Sequence, residues 1–165
     1  MHNKIKTLDA LADIIQKLKK QGKKIVQCHG VFDLLHPGHI RHFESAKKQG
    51  DILIVTLTKD KYVNKGPGRP VFNQRLRAES IAALQSVDYV AINEWPTATN
   101  AIKKIRPDIY AKGSDYSDPD KDLTGEIRNE QGAVRSVGGR THFTDDITFS
   151  STKLLNTHFS VYPEE

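Results

Sequence analysis

Asp51-Ile52-Leu53-Ile54-Val55-Thr56-Leu57 is a near-continuous apolar run, and it constrains the fold more than any other stretch of the chain. Strict alternation would leave one face of a strand to water; an unbroken run suits a parallel strand covered on both faces. The neighbouring segments supply the cover. Thr7 can cap a helix whose Leu8, Leu11, Ile14, Ile15 and Leu18 form one stripe, ending near Gly22. Lys24–His29 reads as a strand, and a helix runs from about Gly38 toward Lys48, with Ile40, Phe43 and Ala46 or Lys47 at helical spacing and Gly50 closing it. Asn73 opens a helix with Leu76, Ile81, Ala82 and Leu84, and Asp88 to Ile92 is a short strand. Thr97 through Ile105 is a helix stopped by Arg106-Pro107, and Asp108–Ala111 is extended again. Further on, Leu123–Asn129 reads as helical, Ala133–Val137 as extended and Ser151–His158 as a final helix.

Strands alternating with helices predict an α/β fold, a Rossmann-like doubly wound parallel sheet. The 165 residues fit one domain, 1–165, with a core of about 22–157 and an N-terminal helix at about 7–21. Ligands of such sheets sit outside the carboxyl ends of the strands, near a switch in strand order. No Gly-x-Gly-x-x-Gly follows the first strand, which disfavours a nicotinamide-binding protein. The single cysteine, Cys28, excludes an internal disulfide framework, and the charged, amphipathic N-terminal stretch is neither a signal peptide nor a membrane span. A reducing cytoplasm is the default expectation. The net charge of +5 is spread among acidic residues and forms no dense basic stripe with aromatics, so nucleic acid is not the expected partner. Moderate positive charge suits small phosphorylated molecules equally well.

His36-Pro37-Gly38-His39 stands where the strand Lys24–His29 hands over to the next helix. Gly30 removes a Cβ where the backbone would approach a ligand, and Pro37 suits the first helical turn. The free N–H groups of that turn favour phosphate. Either histidine alone reads as an ordinary turn or helix residue. Spaced by three residues, they share one face and can address the same phosphate as donors, or as cations when an anion raises their pKa.

The string Gly30-Val31-Phe32-Asp33-x-x-His36-x-Gly38-His39 resembles the signature of the cytidylyltransferase-like nucleotidylyltransferases. Further segments resemble, in order, the heptose-phosphate branch, the nucleotidylyltransferase half of bifunctional heptose kinase/adenylyltransferases. They are Lys65-Gly66-x-x-Arg69-Pro70-Val71 with Gln74-Arg75, then Val87-Asp88-Tyr89-Val90, then Arg106 to Tyr116. The likeness extends over roughly Gly22 to Asn156.

This resemblance implies transfer of AMP or CMP from a nucleoside triphosphate to a phosphorylated acceptor such as a sugar phosphate, with release of pyrophosphate. His36 and His39 would be catalytic, with Lys65 preferred over Lys61 as the loop lysine and Arg75 as the active-site arginine; Arg69 would shape the loop. Gly30, Val31, Phe32 and Gly38 would line the nucleotide. Lys112, Gly113 and Asp115 would face the base and ribose, and Ser150, Ser151 and Thr152 would receive phosphate oxygens. Where some cytidylyltransferases carry an arginine just upstream of that last segment, this chain has Asp145-Asp146, so no such contact is carried over. Mg2+ would be held mainly through substrate phosphates, consistent with a missing carboxylate cage.

The heptose branch favours ATP and the wider family name CTP, and no residue reads the exocyclic group of the base. Dimers are common in the resembling family and some members are fused to sugar kinases, so a homodimer and a kinase fusion or partner are both compatible. Other acceptors remain open, namely glycerol phosphate, FMN or pantetheine phosphate. So does a non-catalytic nucleotide or RNA sensor.

Overall fold

The computed structural model describes residues 2–118, 120, 125–145 and 150–158. Its strands are β1 (Ile5–Lys6), β2 (Ile25–Gly30), β3 (Ile52–Leu57), β4 (Tyr89–Ile92), β5 (Ile109–Gly113) and β6 (Arg140–Thr144), and its helices are α1 (Leu8–Lys20), α2 (Pro37–Lys47), α3 (Gln74–Ala82), α4 (Thr99–Ile105), α5 (Glu126–Ser136) and α6 (Ser151–His158). The strands form one sheet in the order β1-β4-β3-β2-β5-β6. Every pairing is parallel.

The apolar run divides between the two faces of the sheet as strand geometry requires. Leu53, Val55 and Leu57 of β3 pack with Phe43 and Ala46 of α2 and Ala78, Ile81 and Ala82 of α3. Ile52 and Ile54 join Leu8, Leu11 and Ile15 of α1 and Ala101 and Ile105 of α4 on the other face. Tyr110, Ala133 and Val134 extend that second layer under α5. The winding is therefore double, as predicted. The chain proceeds from β2 through β3 to β4, then crosses back to place β5 on the other side of β2. The switch in strand order lies at β2, and α2 starts directly above it.

Three aspartates fix the opposite, N-terminal edge of the sheet. Asp51 accepts from the backbone N–H of Lys24 (2.7 Å), Asp108 from that of Ile25 (2.8 Å) and Asp88 from that of Leu53 (2.7 Å). Local caps follow the sequence reading: Thr7 accepts from Ala10 N–H, and Asn73 from Arg75 and Leu76 N–H.

The segment Ala133–Val137, predicted extended, is helical, with Val137 as the C-cap of α5. Ile127, Glu130, Ala133 and Val134 are its buried residues, a 3.6-residue period that a short apolar cluster does not reveal alone. The helix predicted from Leu123 starts at Glu126, after Gly125 at φ 67°, and 121–124 lie outside the described residues. The strand of this region is the polar edge strand β6, preceded by Gly138 at φ 84°. The two-residue β1 is too short to carry any period. Gly50 does not end its helix by a left-handed turn; a Cβ there would fall 2.8 Å from Lys24 O and from Val26 Cγ2, so close packing demands the glycine. No helix among the described residues is long and apolar enough to cross a membrane.

Gly139 presents the severest case of close approach, since its Cβ would stand 2.4 Å from Pro107 O, while a Cβ on Gly132 within α5 would meet open space. Gly139→Ala should lose roughly 1–3 kcal/mol by forcing backbone apart. Gly132→Ala should gain up to about 1 kcal/mol from lower unfolded-state entropy and better helix propensity. Urea unfolding of the two variants checks the opposite signs.

Candidate active site

Beyond Gly30 the chain leaves β2 through Val31, Phe32 and Asp33 and enters α2 at His36. Phe32 takes a left-handed φ of 48°, which folds its ring back over Gly30. A Cβ on Gly30 would lie 2.9 Å from Phe32 Cζ, so the missing side chain makes room for the aromatic ring rather than for a ligand's approach. The ring meets His39 edge to face at 5.2 Å and Phe43 at 4.9 Å, which fixes the plane of the second histidine.

His36 is the N-cap of α2, and its Nδ1 accepts from His39 N–H at 3.4 Å. An accepting Nδ1 puts the proton of the neutral ring on Nε2. The two imidazoles stack at 3.7 Å with 20° between planes. Two cations cannot share that spacing at low cost. Burial lowers the pKa of His39 to about 3, helped by His36, His42 and Lys65, and burial followed by Lys65 also holds His36 down. Both rings are neutral donors at pH 7 in the free protein. His39 Nδ1 is buried with no hydrogen-bond partner among the described residues.

A cavity of about 350 Å³ opens over this pair at the C-terminal edge of the sheet, as the switch in strand order requires. Of the residues singled out in the sequence, Gly30, Val31, Phe32, His36, Gly38, His39, Lys65, Lys112, Gly113, Asp115, Ser150 and Ser151 line it. Arg75 and Thr152 do not. The Arg75 side chain is 81 % exposed and pairs with Glu79 along the outer face of α3. Two positions on, Arg77 lies about 200° around the helix and is wholly buried. Its guanidinium donates to Phe72 O (3.0 Å), Val31 O (2.5 Å), Thr58 O (2.8 Å) and Asp60 (2.6 Å), tying together the exits of β2 and β3. Thr152 receives Arg69 Nη1 at 3.4 Å instead of facing the cavity. Lys61 lies over the Tyr62 ring and is not on the wall.

The loop carrying Lys65 is fixed by Asp33. That carboxylate accepts from Arg69 Nε (2.5 Å), Val71 N–H (2.9 Å) and Phe72 N–H (3.1 Å). Burial pushes its pKa up, but the Val71 and Phe72 N–H groups and the Arg69 guanidinium prevail and hold it below the usual carboxylate range. Lys65, at the rim, has its ammonium pushed down by burial and by Arg69, against a weaker opposite pull from Asp33.

On the far wall, Gly113 makes room for Asp115, whose Oδ1 would stand 2.4 Å from any Cβ there. Lys112 meets Glu130 of α5 at 2.9 Å and lies 4.5 Å above the Tyr116 ring. Ser150 caps α6 by accepting from Lys153 N–H, and Ser151 donates to Leu34 O at 3.1 Å. Phe149 and Asp146 lie outside the described residues.

Four wall residues were not singled out in the sequence: His29, His42, Thr58 and Thr144. Thr56 Oγ1 accepts from Gln27 and donates to Cys28 O, so His29 Nδ1 donates to it at 2.9 Å and His29 Nε2 accepts from Thr58. By the same accounting, His42 Nδ1 donates to Thr144 Oγ1 (2.7 Å), which itself donates to Lys112 O. A polar residue next to a strand end was the available signal, and it is a common one. No group of three or more His, Cys, Asp or Glu among the described residues could hold a metal ion. With Asp33 committed to three donors, Asp115 is the carboxylate left on the wall among the described residues, which fits a cation carried by a ligand's phosphates rather than a protein cage.

A family model described as cytidylyltransferase-like matches residues 27–157. The bifunctional protein HldE of Geobacter sulfurreducens is 38 % identical over 165 residues, covering 98 % of this chain and 32 % of that protein. The HldE of Aliarcobacter butzleri is 43 % identical over 140 residues, covering 83 % of this chain and 29 % of its own length. The chain thus spans about a third of the curated relatives it matches. Among solved structures, the lipopolysaccharide core biosynthesis protein of Thermoplasma volcanium superposes with a TM-score of 0.61 at 26 % identity, over 78 % of this chain and all of that one. Pantoate-beta-alanine ligase of Francisella tularensis, with a TM-score of 0.60 at 16 % identity, covers 85 % of this chain and 66 % of its own, and shares the fold.

Burial pushes His29, like His39, down to about 3. Each ring is neutral in the fold but titrates near 6.5 when unfolded, so its contribution to stability is whole above that pH and is lost as pH falls toward 3, by up to about 1.4 kcal/mol per pH unit. Denaturant unfolding between pH 6.5 and 5 should show that slope, and His29→Gln should reduce it by about one proton. An unchanged slope would mean that the ring protonates freely in the folded state.

Proposed function

The chain belongs to the cytidylyltransferase-like family of nucleotidyltransferases, and from that premise we propose that it transfers a nucleotidyl group from ATP or CTP to a sugar phosphate, releasing pyrophosphate. The observation that carries the reading is the stacked, neutral His36–His39 pair at the start of α2, facing Lys65 across one cavity. A polyanion is the guest that such a set of donors lacks. A phosphate oxygen of the acceptor attacks the α-phosphorus in line, the new P–O bond forms, and the bond to the β-phosphate oxygen breaks. The acceptor is already ionised at neutral pH, so no protein nucleophile or general base is needed. What remains is to hold two polyanions in register and to stabilise the charge that builds on the α-phosphoryl and leaving oxygens.

His36 supplies Nε2–H, His39 a ring held by Phe32, and the first turn of α2 the backbone N–H of Gly38 and the positive end of the helix dipole, since the N–H groups of His39 and Ile40 already go to His36. Lys65 holds the β- and γ-phosphates. Ser150 and Ser151 border the phosphates from α6, and Lys112, Gly113 and Asp115 take the nucleoside. Mg2+ would be held mainly by the triphosphate itself, with Asp115 on the wall beside it, and would offset the phosphate charge. Support for a sugar phosphate comes from the motif likeness to the heptose-phosphate branch and from the lipopolysaccharide core biosynthesis protein among the solved neighbours. The matched relatives are named bifunctional and are about three times as long, which suits a chain whose acceptor is made by a second activity, fused or separate. A homodimer is compatible with this reading.

Pyrophosphate release measured over ATP and CTP against sugar phosphates, glycerol phosphate, FMN and pantetheine phosphate tests the proposal. Turnover should be greatest with one nucleotide and a sugar phosphate; nucleotide binding without release over every acceptor would overturn it. His39→Ala should lose on the order of 10²–10³ in kcat with its circular dichroism unchanged. Arg75→Ala should keep kcat within about threefold, because its side chain points away from the cavity; a loss like that of His39→Ala would put Arg75 back in the site.

A further inference from the structure

The cavity wall carries two lysines in opposite electrostatic settings. Among the described residues the anion nearest in effect to Lys65 is Asp33, whose carboxylate is taken up by Arg69 and two backbone N–H groups. Lys112 is the reverse case: its side chain is 12 % exposed and stands 2.9 Å from Glu130 of α5, which is 5 % exposed. Burying such a pair is a poor route to stability, because the desolvation of both ions offsets their attraction and an apolar pair of similar volume often folds as well. The pair nevertheless lies on the cavity wall, with Lys112 lining it.

Its geometry indicates what it does there. Glu130 Oε2 is the oxygen that meets Lys112, and the buried Tyr110 hydroxyl lies beside the same carboxylate. The contact cancels charge and takes up one of the ammonium's three N–H bonds, leaving the others to the cavity, and the Tyr116 ring 4.5 Å away supports the same position from the cavity side. The result is a strong donor with little net charge. Such a donor suits an uncharged acceptor, a ring nitrogen, carbonyl or hydroxyl, and gives phosphate no net attraction.

Resting on the nucleotidyl-transfer reading, we propose that Glu130 is a positioning residue. By cancelling Lys112 it reserves the β5 side of the cavity for the neutral nucleoside half of the substrate and confines the polyphosphate to His36, His39 and Lys65. Glu130 is not on the cavity wall and acts through Lys112.

The test compares Glu130→Gln, Glu130→Asp and Lys112→Met with the parent protein, reading kcat and KM for the preferred nucleotide and the inhibition constant of inorganic tripolyphosphate. Glu130→Gln should raise the nucleotide KM about tenfold with kcat changed less than about threefold. Tripolyphosphate should bind severalfold more tightly, since a second uncompensated cation then attracts it. Glu130→Asp should restore both values. Lys112→Met should raise KM by a similar factor and leave tripolyphosphate inhibition unchanged, and it carries the test if Glu130→Gln does not fold. Nucleotide and tripolyphosphate affinities moving in the same direction in Glu130→Gln, or a KM unchanged in both variants, would overturn the proposal. Should the parent protein release no pyrophosphate, calorimetric titration of the same variants with ATP, CTP and tripolyphosphate gives the same comparison, so the failure of the transfer reading and the failure of this one remain distinct.

Discussion

One buried carboxylate holds the cavity in register. Asp33 stands three residues before His36, its side chain has no exposure, and all its bonds go to the segment that follows β3. That segment carries Lys65, and through Arg69 it also reaches Thr152 on α6. An unpaired charge at this depth would cost several kcal/mol, so the closed position of the loop, with Asp33 fully paired, is the favoured one. Arg77 performs the complementary task from below, donating to the exits of β2 and β3 and to Phe72. Between them these two residues turn three loops, which sequence separation would leave independent, into one wall. A wall built in advance is what a reaction driven by positioning and electrostatics needs.

The charges around the cavity follow from the same economy. Stacked imidazoles between Lys65 and His42 have no reason to hold protons until an anion enters, and burial keeps them neutral. The lysines are sorted by their partners: the anion beside Lys65, Asp33, is already committed to other donors, and Lys112 is cancelled by Glu130. Polarity along the cavity thus comes from the position of carboxylates behind the wall as much as from the cations on it.

Much of this was legible in the sequence, for identifiable reasons. The run Ile52–Leu57 gave its parallel, doubly covered strand because each of its apolar residues is committed to one core or the other, with Thr56 buried between them in hydrogen bonds. Thr7, Asn73 and Pro37 announced their helices through local caps that act within four residues. The histidine pair was visible because its spacing is local too. What escaped depends on distance in sequence: Asp33 bonds to residues 36 to 39 positions away, and Glu130 finds Lys112 only after α5 has packed. β6 escaped because an edge strand can be polar, and its apolar neighbours Ala133 and Val134 drew the extended assignment into what is a helix. Arg75 and Arg77 were interchangeable as letters and opposite as positions, since two residues on a helix point nearly apart.

The aspartates at the N-terminal edge of the sheet bear on how a chain of this kind can diverge. Asp51, Asp88 and Asp108 each seize a backbone N–H at the entrance of a strand, so the register of β2 and β3 is decided at the end remote from the cavity. Loops at the other end are thereby released from any duty to align strands. They can lengthen, shorten or exchange side chains for a new acceptor while the floor of the sheet stays in step, which makes the substrate range of such a scaffold cheap to revise and its fold hard to lose.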